Sequence, residues 1–243
     1  MDGAASAPLF SCQGVSLDLG GREVLTNIGF DIAAGEVLGI IGPNGAGKTS
    51  LLEVLSGRYT AKAGDVHFKG RKINKLRLFE RARIGIGRTY QTPVVCEELT
   101  VGETFKAARQ AYRPYLNRFD AEYAAHLVHF VTDEDTPNTQ LKTFERRKLL
   151  LACILMKEPE LLLMDEPAAG LINSEIDEID HILRMLSKEM NIAVVIVEHR
   201  IELLETIADR VIVMDAGEII AAGLLTEIID NPAVRAAYFE KVD

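Results

Sequence analysis

What this 243-residue chain lacks narrows it first. No stretch approaches the ~20 consecutive apolar residues that cross a bilayer as a helix. The longest apolar run, 149–156, has the length of a buried helix segment. Positive charge is not in excess: 27 Lys and Arg against 36 Asp and Glu give a formal net charge of -9. That balance argues against nucleic acid as the main partner, because a phosphate backbone demands a dominant positive field. Cysteine is scarce. Cys12, Cys96 and Cys153 are widely spaced and show no metal-ligand pattern, which suits a reducing cytosol and, for Cys153, core packing. Residues 1–10 carry Asp2 and no basic segment of the kind that opens a secretory signal. Internal repeats and low-complexity tracts are also missing. The expectation is a cytoplasmic protein.

What is present is a chain with 48% hydrophobic and 26% charged residues, long enough for one large domain or a domain with an inserted lobe. Residues 9–40 read as strands and turns, with Gly20-Gly21 signalling a hairpin and Ala34-Gly35 a second turn. A short strand pair is expected across 66–73, around Lys69-Gly70. From 97 to about 148 the periodicity turns helical. Leu99-Thr100-Val101-Gly102-Glu103 opens one helix, Arg113-Pro114 breaks it, 121–131 forms another, and polar 132–139 is a loop. His126 and His129 read as one face of an amphipathic helix, since a metal site would need further ligands. Beyond this lobe, Val/Ile/Leu runs at 161–164, 192–197 and 211–214 indicate a mostly parallel sheet covered on both faces. Asp215-Ala216-Gly217 before Ile219-Ile220 marks a hairpin, and Asn231-Pro232 starts a last helix over 233–240. The basic stretch 69–88 holds Lys69, Arg71, Lys72, Lys75, Arg77, Arg81, Arg83 and Arg88 against Glu80 alone, and is read as a solvated edge.

One motif carries the chemistry. Gly42-Pro43-Asn44-Gly45-Ala46-Gly47-Lys48-Thr49 follows an apolar strand ending in Ile41 and opens a helix at Ser50-Leu51-Leu52. Strand, glycine-rich turn and helix N-terminus together make an anion cradle, in which backbone N–H groups and the helix dipole converge on phosphates. Lys48 would reach the β- and γ-phosphates and the Thr49 hydroxyl would ligate Mg²⁺. The ligand is a nucleoside triphosphate. Asp165, Glu166 and His199 also come directly after apolar runs, at the sheet edge where open α/β folds bind ligands. Asp165 is assigned to Mg²⁺ through coordinated water, Glu166 to polarising the attacking water, and His199 to the γ-phosphate and the orientation of that water.

Taken in order, Gly42 to Thr49, Arg88-Thr89-Tyr90-Gln91, Asp165-Glu166-Pro167-Ala168-Ala169-Gly170-Leu171 and Glu198-His199 resemble the motifs of an ABC transporter ATPase subunit over nearly the whole chain. Within that family the chain looks most like the ATPases of branched-chain amino acid and amide importers, including its tail Asn231-Pro232-Ala233-Val234-Arg235-Ala236-Ala237-Tyr238. The resemblance implies a P-loop NTPase fold: an α/β core with a mostly parallel sheet, an antiparallel β edge and an inserted helical subdomain. The division implied is 1–92 with 150–243 for the core and 93–149 for the helical part. It further implies ATP and Mg²⁺ as ligands, Ser50 in the phosphate site, and Gln91 as a loop residue that contacts Mg²⁺ or water. Transmembrane permease subunits at the cytoplasmic face of the inner membrane are the implied partners, with a solute-binding protein acting indirectly. Lipid or lipopolysaccharide export is the alternative within the family, against which Arg88-Thr89-Tyr90-Gln91 and Ala168-Ala169-Gly170 lean. A soluble nucleotide switch would usually pair two ATPase domains or carry long coiled coils, and this sequence has neither.

Three positions depart from the family pattern. Its signature loop, Leu-Ser-Gly-Gly-Gln, falls here on Leu141-Lys142-Thr143-Phe144-Glu145, where Phe144 puts a bulky side chain at a glycine position. Leu19 stands where an aromatic residue normally stacks on adenine. Ile172 replaces the usual Asp or Asn, with Asn173 one place later. In the family the signature completes the ATP site of the opposite subunit. The expectation is therefore a pair of unlike ATPase subunits, with a homodimer as the other possibility.

Overall fold

The computed structural model describes residues 7–228 together with 231, 232, 234 and 235. Most of the helix expected over 233–240 lies outside them. Strands β1 (Phe10–Leu19) and β2 (Arg22–Ile32) form the hairpin across Gly20-Gly21, and β3 (Val37–Ile41) leads through the glycine loop into α1 (Lys48–Ser56). Next come β4 (Ala63–Phe68), β5 (Arg71–Lys72), α2 (Leu78–Arg83) and β6 (Ile86–Arg88). The helical segment holds α3 (Val101–Gln110), α4 (Arg118–Leu127) and α5 (Thr143–Leu155). The chain then alternates β7 (Leu161–Asp165), α6 (Asn173–Arg184), β8 (Ala193–Val197), α7 (Ile201–Ile207) and β9 (Arg210–Asp215), and continues into β10 (Glu218–Gly223) and α8 (Leu225–Ile228).

Two sheets result. One is antiparallel, in the order β2-β1-β4-β5; the other runs β10-β9-β3-β8-β7-β6, parallel except for β10 at its edge. The unbroken apolar runs follow from burial on both faces of the larger sheet, because successive side chains point to opposite sides. Leu161 and Leu163 of β7 enter a core shared with the antiparallel sheet and Leu51, Leu52 and Leu55 of α1. Leu162 and Met164 enter a second core with α5, α6 and α7. Through Leu149, Leu151, Ala152 and Leu155, α5 lies in that second core; it runs unbroken across residue 149, where the two segments were divided.

Local structure corrects two sequence expectations. The helix expected over 121–131 is α4, which starts at Arg118 and ends at Leu127. Asn117 Oδ1 accepts from the Asp120 N–H and Asp120 returns the bond to the Asn117 N–H, a capping box that fixes the start ahead of the apolar pattern. Beyond its end, His129 takes a left-handed φ of 50° and stacks on His181. The stretch 69–88, in turn, is not a solvated edge throughout. Arg81 is buried and donates to the carbonyls of Val54, Leu55, Ile73 and Leu76, so it caps the C-terminal end of α1. Arg88 is buried beneath the candidate site.

Candidate nucleotide site

The glycine loop stands where β3 ends, and its backbone explains its composition. Gly42 and Gly47 take φ values of 151° and 96°. A Cβ on Gly42 would lie 2.1 Å from the Met214 carbonyl oxygen, and one on Gly47 would lie 3.0 Å from that of Val24. Only glycine lets the loop wrap this closely. Lys48 is buried at the start of α1 and its ammonium donates to the carbonyls of Gly42 (2.7 Å) and Pro43 (2.9 Å). Burial lowers its pKa from the usual lysine value, and the charges of Glu166 and Asp165 offset part of that shift. A cavity of about 490 Å³ opens over the loop, lined by Asn44, Gly45, Gly47, Lys48, Thr49 and Ser50 and reaching Leu19 and Arg22 on the hairpin. Pro43 and Ala46 belong to the same loop, with the Ala46 N–H on the Pro43 carbonyl.

Because β3, β6, β7 and β8 are parallel, the residues that follow them meet at one sheet edge. Asp165, the last residue of β7, is 3.5 Å from the Thr49 hydroxyl through Oδ1. Glu166 takes a left-handed φ of 45°, a conformation uncommon outside glycine, and its carboxylate is held from both sides. Gln91 Nε2 donates to Oε2 at 2.6 Å, and His199 Nε2 lies 3.1 Å from Oε1. The structure thus brings Lys48, Thr49, Gln91, Asp165, Glu166 and His199 together. Hard oxygen donors on Thr49 and Asp165, side by side at the loop, suit Mg²⁺.

Four residues that sequence reasoning passed over hold this constellation in place. Arg88 Nη2 is 3.1 Å from Asp165 Oδ2 and 3.6 Å from Glu53 Oε1 on α1. Arg147 of α5 donates to the carbonyls of Pro167 and Gln91, tying that helix to the loops on both sides of Glu166. Glu198, buried, accepts from the Ala168 and His199 N–H groups. Arg88, Arg147 and Glu198 each stand inside or beside a motif, but their partners come from distant segments that the motifs do not name.

Leu141 to Glu145, which the resemblance puts at the signature position, lie at the start of α5. Phe144, the bulky residue at a glycine position, packs into the second core with Lys148 Nζ 4.8 Å from its centroid. Leu141 is buried as well, so Lys142 and Thr143 are the residues exposed at the tip of α5. Glu145 is turned back on its own helix, accepting from the Lys142 N–H at 2.8 Å. Ile172 is exposed at the start of α6. Among the described residues no helix is long and apolar enough to cross a membrane.

Comparison with known proteins agrees with this geometry. The ABC transporter family profile matches residues 25–169. Over 96% of this chain, and 98% of the relative, it is 31% identical to the high-affinity branched-chain amino acid transport ATP-binding protein BraF of Pseudomonas aeruginosa. The Escherichia coli protein LivG, of the same description, is 30% identical over the same shares. The lipopolysaccharide export ATP-binding protein LptB of Acidithiobacillus ferridurans is 31% identical over 89% of this chain and 90% of its own. Among solved structures, an ATP-binding cassette of an ABC transporter in its ADP conformation superposes with a TM-score of 0.85 at 25% identity, covering 96% of this chain and 99% of that one. With the profile over more than half its length and relatives of matching extent, the chain belongs to the ABC transporter family, as an ATP-binding subunit that hydrolyses ATP.

Proposed function

We propose that this chain powers an importer of branched-chain amino acids or similar small polar solutes, amides and urea among them. The end-to-end similarity to BraF and LivG is the observation that carries the reading. Lipopolysaccharide export has a relative of nearly equal identity in its favour. The sequences Arg88-Thr89-Tyr90-Gln91 and Ala168-Ala169-Gly170 favour import.

At the chemical centre, Lys48 would leave the Gly42 and Pro43 carbonyls for the β- and γ-phosphates, while the loop N–H groups hold the anion. Thr49 and Asp165 would hold Mg²⁺, which supplies neutralising charge to the phosphates. Glu166 would polarise the attacking water, and Gln91 and His199, already on its two oxygens, would orient carboxylate and water. The base end of the nucleotide would rest against Leu19 and Arg22. Permease subunits would dock at the groove of about 760 Å³ between α3, α5 and the loop after β6, where Val94 and Tyr90 are exposed. The cytoplasmic face of the inner membrane is the place this implies.

Purifying the tagged chain from its native membranes in mild detergent and identifying what accompanies it tests the reading. Membrane subunits together with an amino-acid-binding protein are expected. A lipopolysaccharide-export permease would turn it to the second reading, and the absence of any membrane protein would defeat both.

A further inference from the structure

We infer that Arg88 is a positioning residue that exchanges carboxylate partners, passing from Asp165 to Glu53 when a divalent cation takes Asp165, and that Tyr90 moves with it. This rests on the assignment of Thr49 and Asp165 to the metal. Three nearly buried side chains form the cluster: Arg88 at 3% exposure, Asp165 at 5% and Glu53 at 9%. One guanidinium therefore serves two carboxylates, and a buried cluster with an excess charge is costly to maintain. Arg58 reaches Glu53 Oε2 at 3.6 Å, but its own side chain is 55% exposed and its attraction is screened.

The hydrogen bonding inside the cluster is uneven. Arg88 Nη2 is at bonding distance from Asp165 (3.1 Å) and farther from Glu53 (3.6 Å). Glu53 Oε2 and Arg88 Nε are both buried without a hydrogen-bond partner, an acceptor and a donor left open in one ion-pair cluster. Unmade bonds of this kind are expensive where they persist, so an alternative arrangement that closes them is favoured once Asp165 is claimed elsewhere. A divalent cation at Asp165 supplies the push, because it repels the guanidinium beside it and takes over the carboxylate charge.

What rides on Arg88 is the loop that carries Gln91. The Arg88 guanidinium lies 4.9 Å from the centroid of the Tyr90 ring and its Nη1 donates to the Thr89 carbonyl. Tyr90 lines the same groove whose inner end is formed by Thr49, Glu53 and Asp165. A shift of Arg88 toward α1 carries Tyr90, and with it the outer wall of the groove, so the surface open to a partner differs between metal-free and metal-loaded states.

The chain contains no tryptophan. Tyr90→Trp therefore provides a single emitter on the guanidinium, and indole is the ring best suited to a cation. With the purified chain, AMP-PNP is added in EDTA and Mg²⁺ is then titrated in. The expected result is a second emission change that saturates with Mg²⁺. Adding Glu53→Gln, nearly isosteric and checked by thermal melting, should abolish that second change while nucleotide still binds in EDTA. Arg88→Lys, which keeps the charge without the planar fork, should lose the second change as well. An unaltered Mg²⁺ step in both variants would overturn the exchange. Failure of AMP-PNP to bind the Tyr90→Trp chain and the unmodified chain, with or without Mg²⁺, would overturn the nucleotide assignment beneath it.

Discussion

Single residues here take their roles from burial as much as from type. Lys48 is the clearest case: its ammonium is desolvated and waits on two carbonyls of its own loop, so no other side chain can replace its reach. Lys48→Ala is expected to lose binding of a fluorescent ATP analogue with little change in melting temperature, as read by titration and calorimetry. The thiols divide in the opposite way. Burial raises Cys12 and Cys153 from 9.0 to about 12; Cys96 is raised as well, by donating its thiol to Glu98, but it is exposed. Native protein treated with iodoacetamide near pH 8 should therefore carry one adduct, on Cys96, by peptide mass spectrometry. Thiols raised in the folded state ionise first in the unfolded chain, so their stabilisation is complete below pH 9 and falls as pH rises toward 12. The loss is about 1.4 kcal/mol per pH unit for each thiol. Urea midpoints across that window should flatten in Cys12→Ala and Cys153→Ala compared with the parent. The positions of Lys48, Thr49, Asp165 and Glu166 at one sheet edge were legible because the loop and the acidic pair each come at the end of an apolar run. The roles of Arg88 and Arg147 were not, because their partners arrive from 77 and 56 residues away.

Elements show the same division between local and distant causes. The apolar runs of β7, β8 and β9 declare buried strands without outside help, since each is apolar on both faces. The bounds of α4 were hidden, because its start is set by a polar capping box that precedes its buried Ala121 and Ala124. Arg81 was misread for a similar reason: nothing in 69–88 reveals that the open carbonyls of α1 come to meet it. Arg81→Met keeps much of the side chain's bulk and removes all of those bonds. It is expected to cost about 3 kcal/mol in chemical denaturation, because buried carbonyl groups lose their donors. Arg81→Lys should recover only part of that, lacking the planar fork that reaches several carbonyls at once.

At the scale of the whole molecule, on the proposed reading, what this chain would offer its own nucleotide differs from what it would offer a partner's. The loop and Glu166 line one cavity, Gln91 and His199 contact Glu166, and Asp165 lies beside Thr49. The tip of α5, by contrast, exposes Lys142 and Thr143 where the family has serine and glycines, with Glu145 folded back onto the helix. In the proposed pair of unlike subunits, this chain alone should turn over ATP slowly, and mixing it with a partner that carries an intact signature should restore the rate. Full activity of the isolated chain in a phosphate-release assay would instead make it a working homodimer.

The continuity of α5 has a consequence for such a pair. Its exposed tip is the part that would face the nucleotide across the dimer, yet five residues further along the same rigid rod Arg147 grips Gln91 and Pro167 on either side of Glu166. In the proposed pair a displacement at one end would be delivered to the other, as by the beam of a balance. Neither chamber of such an engine would then fire without its neighbour feeling the recoil.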